Sequence, residues 1–194
     1  MSEKSVQKKK YILETARRVF MDKGFLAVTM KDIVDACEIS RGGLYLYFAD
    51  TGEIFREVLK LEEQETDDIF EAGIAEGAGP SDILALFLKE QKKELLNKKK
   101  GLSRAAYEYY FIHEKDGRSH PLRKQFDSAV TIIRKLIEAG VESGEFYCED
   151  ARGAASNIMY VLEGLKIASL TRGITEAAVD REILYIMQGL VADE

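Results

Sequence analysis

The 194-residue chain has no tryptophan, two prolines, two cysteines and two histidines. Cys37 and Cys148 cannot make a disulfide framework, and neither stands among other metal-ligand types at binding spacing. They suit a reducing compartment, so the cytoplasm is the expected location. His113 and His120 lack a partnering nucleophile motif, and no glycine loop is arranged to cradle phosphate; neither an enzyme nor a cofactor is expected. Scarce proline removes the commonest interruption of a helix, and alternating β-branched runs, the mark of sheet, are missing. The apolar run from Ile83 to Leu88 falls far short of the roughly 18 residues of a membrane span. Residues 1–10 are basic and polar, unlike a signal peptide. An all-α protein of about nine helices, with no membrane partner, is the expectation.

What the chain does have is charge, unevenly placed. Composition is ordinary for a globular protein, 46% hydrophobic and 32% charged, with a net charge of −6. Residues 1–48 nevertheless hold nine Lys/Arg against six Asp/Glu, which leaves 19 against 28 for the rest. A basic head on an acidic body is steered toward a polyanion through the head, and such binding weakens with salt.

One stretch of that head organises the rest: Thr29 to Phe48, TMKDIVDACEISRGGLYLYF. Thr29 with Asp32 three residues on is a capping-box pattern, after which Met30, Ile33, Val34 and Cys37 share a helical face. Ser40 offers a second N-cap, so a first short helix gives way to another across Glu38-Ile39. In the second, Leu44 and Phe48 can pack inward, which leaves Arg41, Gly42, Tyr45 and Leu46 outward. Two short helices joined this tightly, the second presenting a reaching cation beside a small residue, suit a DNA groove.

The run from Val28 to Phe48, preceded by FMDKGF (Phe20 to Phe25), resembles the DNA-binding domain of TetR-type transcriptional regulators. Phe20, Gly24, Phe25, Thr29, Ile33, Ile39, Ser40, Gly42, Leu44, Tyr45, Tyr47 and Phe48 all fall where that family's pattern has them. Val34 and Cys37 replace the usual alanines, Glu38 the usual turn glycine, and Thr51 a lysine that reaches phosphate. The resemblance implies a helix-turn-helix domain over residues 1–50 and a helical effector-binding and dimerisation domain over 51–194. Arg41 is expected to read a base edge, guanine by preference, while Gly42 permits close approach. Thr29, Ser40, Tyr45 and Tyr47 are expected on phosphate through hydroxyl or amide, with Leu46 beside them and Thr51 as a weakened contact.

Further helices are expected at Lys8–Met21, at Gly52–Ala72, from Ser81 to the Lys98-Lys99-Lys100-Gly101 cluster, and at Ser103–Glu114. Three more follow: Pro121 to the glycines at 140 and 144, Ala151–Leu170 and Thr175–Leu190. Gly73 to Pro80 is the clearest loop. The lysine cluster ends a helix, where cations complement the dipole, and is better explained so than as a second DNA site. One helix-turn-helix reads only a few base pairs, so a partner copy is needed. TetR-type proteins dimerise through their last two helices, which puts Ile158, Val161, Leu162, Leu165, Val179, Ile183, Met187 and Leu190 at the dimer contact. Phe87, Tyr107, Tyr110, Phe111, His113, Phe126 and Met159 are the candidate lining of a small-molecule pocket, aromatic area with orienting polar tips. The reading is then a homodimeric repressor released from a palindromic operator by a small, partly apolar effector. A thiol-sensing DNA-binding regulator using Cys37 or Cys148, or a helical protein-interaction module without an effector, are the rivals, and the second leaves the joint display of Arg41, Gly42 and Tyr45 unexplained.

Overall fold

The computed structural model describes residues 3–75, 77–97, 101–113 and 121–190, excluding the side chains of 65–75 and 121. Among the described residues there are nine helices and no strand: α1 (Glu3–Lys23), α2 (Met30–Cys37), α3 (Arg41–Tyr45), α4 (Thr51–Ala75), α5 (Pro80–Leu96), α6 (Ser103–Ile112), α7 (Pro121–Ser143), α8 (Ala151–Thr171) and α9 (Glu176–Gln188). None is long and apolar enough to cross a membrane.

Four helix starts follow the caps visible in the sequence. The Thr29–Asp32 capping box is present in full, Ser40 accepts from the Gly43 N–H, and Asp150 and Thr175 cap α8 and α9. Two starts differ. α1 begins five residues earlier than Lys8, because its polar first turns are held by tertiary partners: Lys9 pairs with Glu57 at 2.8 Å and Ser5 donates to the Tyr47 hydroxyl at 3.5 Å. α5 begins at Pro80 with Gly79 as N-cap, not with Ser81 as cap, since proline at the first helical position gives up no hydrogen bond. Ser81 instead donates its N–H and hydroxyl to Glu145, which holds that carboxyl below its usual range. The loop expected from Gly73 is shorter, because α4 continues to Ala75. Lys98 to Lys100, Gly117 to Ser119 and His120 lie outside the described residues.

The chain divides into two compact units, residues 1–65 with 99–121 and residues 66–98 with 122–194. The division is not at residue 50: the first turns of α4 and the whole of α6 belong with the head. An aromatic wedge explains why. Tyr109 of α6 meets Phe25 at 5.0 Å and Phe55 of α4 at 5.3 Å between ring centroids, and Phe55 meets Phe20 of α1 at 4.7 Å. Next to it, Glu108 accepts from the Leu26 N–H at 2.9 Å. Gly24, at φ +79°, makes room for that carboxylate, since a Cβ there would lie 2.6 Å from Glu108 Oε2.

In the second unit Leu84 and Leu88 of α5, Ile133 and Ile137 of α7, and Ile158 and Leu162 of α8 share a buried core. Lys92 of α5 pairs with Glu176 and Asp180 of α9. Five of the eight residues expected at the dimer contact are buried within this one chain. Ile158, Leu162 and Leu190 are buried in this core, Leu165 and Val179 form a smaller one with Leu95, and Val161, Ile183 and Met187 pack against them. The strongest apolar periodicity of α8 and α9 covers α5 within one chain, and the opposite face, with Tyr160, Ile167, Leu184 and Tyr185, stands exposed.

Glu38 is the one non-glycine residue at positive φ among those described, in the left-handed region at φ 53° and ψ 40°. A side chain there is strained by about 1 kcal/mol relative to glycine. Glu38→Gly is therefore expected to raise unfolding stability by about that amount, measured as an increased denaturation midpoint at constant slope.

Candidate nucleic-acid interface

The turn between α2 and α3 presents its polar residues on a seat fixed from below. Ile33 and Leu44 are fully buried and Phe48 nearly so. Tyr11 of α1 donates to the Cys37 carbonyl at 3.4 Å, tying down the end of α2. At its start, Asp32 receives Lys23 Nζ at 2.6 Å, the Thr29 hydroxyl at 2.6 Å and the Thr29 N–H at 2.8 Å. Hydrogen bonds from Lys23 first, and Thr29 second, hold this carboxyl far below the usual carboxylate range, and the same contact raises the Lys23 pKa.

These contacts sort the expected DNA-contact residues. Thr29 spends its single hydroxyl proton on Asp32, so it has no donor left for phosphate and acts as a cap. Ser40 accepts from the Gly43 N–H at 3.1 Å and Tyr47 accepts from Ser5, so in both the hydroxyl proton is still free to be donated. Thr51 is half-buried at the start of α4, between two carboxylates: Asp50 accepts from the Glu53 N–H at 2.7 Å and Glu53 from the Ala49 N–H at 2.6 Å. That pair satisfies the helix start internally and opposes a phosphate there, which disfavours Thr51 as a contact. Lys9 is committed to Glu57 and lies 5.5 Å from the Phe48 ring centroid, a structural use that its place in a lysine run did not reveal.

Arg41, Gly42, Tyr45 and Leu46 remain, all exposed on one side of α3. The Arg41 guanidinium lies over the Tyr45 ring at 5.6 Å, which orients it. A Cβ on Gly42 would meet nothing within 4 Å, whereas one on Gly43 would lie 3.1 Å from Ser40 Oγ. Gly43 is thus explained by its own cap, but nothing inside the molecule requires glycine at 42. Its bare backbone suits close approach by something outside.

The expected pocket residues do not gather in one place. Tyr107, Tyr110 and Phe111 on α6 and His113 at its C-cap are in the first unit; Phe87, Phe126 and Met159 are in the second. Tyr110 is buried, and His113 stacks on Tyr109 with centroids 4.1 Å apart, its Nδ1 2.8 Å from the Tyr109 carbonyl. Phe111, one residue on from Tyr110 and so turned about 100° around the helix, is 70% exposed. Phe87 and Met159 are core, as periodic apolar residues usually are. Phe126 alone of the seven lines a groove of ≈ 1140 Å³ between α7 and α8, shared with Tyr160, whose ring centroid is 5.2 Å away, and with Arg123, Arg134 and Arg152. Nothing in the spacing of these arginines marked the groove. Among the described residues no His, Cys, Asp or Glu cluster could hold a metal ion.

A helix-turn-helix head with an exposed second helix, beside a second helical unit, puts the fold in the helix-turn-helix class. Residues 12–58 match the model of bacterial regulatory proteins of the tetR family, and residues 83–180 that of the tetracyclin repressor-like C-terminal domain. The chain belongs to the tetR family. It is 32% identical over 146 residues to the uncharacterized HTH-type transcriptional regulator YfiR of Bacillus subtilis, covering 70% of this chain and 66% of that one. The chain thus spans just under two thirds of this relative's length. YhgD of the same organism, likewise an uncharacterized HTH-type regulator, is 26% identical over 144 residues, covering 72% of each. The fold is shared with a TetR-family regulator of Agrobacterium tumefaciens at TM-score 0.75 and 18% identity, over 96% of this chain and 98% of that one.

Gly42→Ala separates folding from binding. Helix propensity and free space predict about 0.5–1 kcal/mol more stability in denaturation, while affinity for a specific duplex is expected to fall. A stabilised variant with unchanged affinity would show that no partner approaches this backbone.

Proposed function

We propose that the protein is a cytoplasmic homodimeric repressor that leaves a palindromic operator when a small, partly apolar effector binds its second unit. The observation that carries the DNA half of this reading is the outward set Arg41, Gly42, Tyr45 and Leu46 on a helix whose other face is wholly committed to packing. Ser40 and Tyr47, each with a hydroxyl proton to donate, flank it on phosphate. The acidic remainder of the chain keeps the rest of the molecule off the DNA.

Dimerisation is assigned to the exposed face of α8 and α9, with Ile167, Leu184 and Tyr185, in place of the inward stripe. For the effector, the α7–α8 groove offers aromatic area from Phe126 and Tyr160 among three arginines and five carboxylates, with Arg123 paired to Asp127 and Arg134 to Glu138, a setting for a small molecule with an apolar body and a polar end. An effector releases DNA only by its preference for a dimer state whose heads no longer match the operator, and α4, which runs from one unit into the other, is the natural lever. Thiol sensing is not favoured, because Cys37 is buried and that burial pushes its thiol pKa up.

Selection of bound sequences from random duplex DNA at near-physiological salt tests the reading. A palindrome with half-sites about 34–36 Å apart, or a multiple, is expected; no enriched sequence would overturn it. Leu184→Glu is expected to convert dimer to monomer in sedimentation at micromolar protein with the fold retained, whereas Leu162→Glu, in the core, is expected to unfold the chain. A Leu184→Glu protein still dimeric would remove α9 from the contact.

A further inference from the structure

We propose that Leu46 is a specificity residue that packs against the 5-methyl group of a thymine, about two base pairs from a guanine read by Arg41, and that Tyr45 positions that arginine. The inference deepens the operator-binding reading and rests on it. Leu46 is 84% exposed, more than any other large apolar side chain among the described residues. A single exposed leucine ordinarily needs no explanation. This one stands on the displayed side of the head, with its N–H donating to the Gly42 carbonyl at 3.2 Å, so that it lies one helical turn above the bare backbone of Gly42. Whatever approaches Gly42 closely meets Leu46 next. A leucine side chain neither donates nor accepts, and the apolar feature on the edges of major-groove bases is the thymine methyl.

Arg41 supplies the complementary half. Its guanidinium is held over the Tyr45 ring, so less rotational freedom is lost when it makes the paired donation to guanine O6 and N7. Arg41 and Leu46 are five residues apart on a helical backbone that Leu46 continues, at φ −68° and ψ −21°. That is roughly 7–8 Å along the axis, or about two base-pair steps. Tyr45 therefore acts through Arg41, with its ring and not its hydroxyl.

The test uses the full chain and the duplex obtained by selection, with each thymine replaced in turn by deoxyuridine, which deletes only the methyl, and each guanine by 7-deazaguanine, which deletes N7. Wild type is expected to lose about fourfold in affinity, the worth of one buried methyl, at one deoxyuridine position per half-site. Leu46→Ala, an exposed change that leaves the core intact, should bind the parent duplex about fourfold more weakly and be indifferent to deoxyuridine at that position alone. Arg41→Ala should lose sensitivity to 7-deazaguanine at a position two or so base pairs away. Tyr45→Phe should keep that sensitivity and Tyr45→Ala should lose it. The proposal is overturned if no deoxyuridine weakens binding by wild type, or if Leu46→Ala keeps the full deoxyuridine effect. The tyrosine assignment is overturned if Tyr45→Phe behaves as Tyr45→Ala. Selection that enriches no sequence would instead remove the operator reading itself, an outcome distinct from an enriched site with indifferent methyls.

Discussion

A helix of five residues holds no shape of its own in water, because its nucleation cost is never recovered by so few backbone hydrogen bonds. α3 is such a helix, and the molecule's display of Arg41 and Leu46 depends on burying Leu44 and Phe48 beneath it. Each side chain removed from water contributes about 1.5–3 kcal/mol at this degree of burial, more than the five-residue helix could supply by propensity. The rest of the first unit follows from that need: α1 beneath the turn, the Ser40 cap at one end, and the rings of Phe20, Phe25, Phe55 and Tyr109 filling the space below.

Charge in the head has two separate uses. Lys9 with Glu57, Lys23 with Asp32 and Arg17 with Glu62 are spent inside the unit, binding helix to helix or cap to cap. Such partly exposed pairs add little stability each, but they fix where side chains point. Arg41 is directed outward, steadied by a ring and not by a carboxylate, so its donors are available to a base edge.

How far the residues foretold this differs by the range of the interaction. Capping boxes, the left-handed turn at Glu38 and the inward pair Leu44 and Phe48 depend on neighbours within four residues, and all were legible. The attachment of α6 to the head was not: Glu108 meets Leu26 across 82 positions, and Gly24 marked a tight approach without saying by what. Thr29 looked like a phosphate donor until Asp32 took its proton, a competition that spacing alone does not resolve. How much of the apolar stripe of α8 and α9 is covered within one chain was hidden for a related reason. A regular apolar stripe says that something covers it, and α5 of the same chain proved to be the cover.

By itself the sequence determined the helical class, the helix-turn-helix, its family and the identity of the displayed residues, because each follows from local periodicity, short-range hydrogen bonds and residue types at set spacing. The tertiary structure alone decided which hydroxyls keep a proton to give, which cations are already paired, which face of the last two helices is free, and that α6 belongs with the head. Those outcomes depend on which distant groups arrive first at a shared donor, acceptor or apolar surface, and a linear pattern carries no record of that competition.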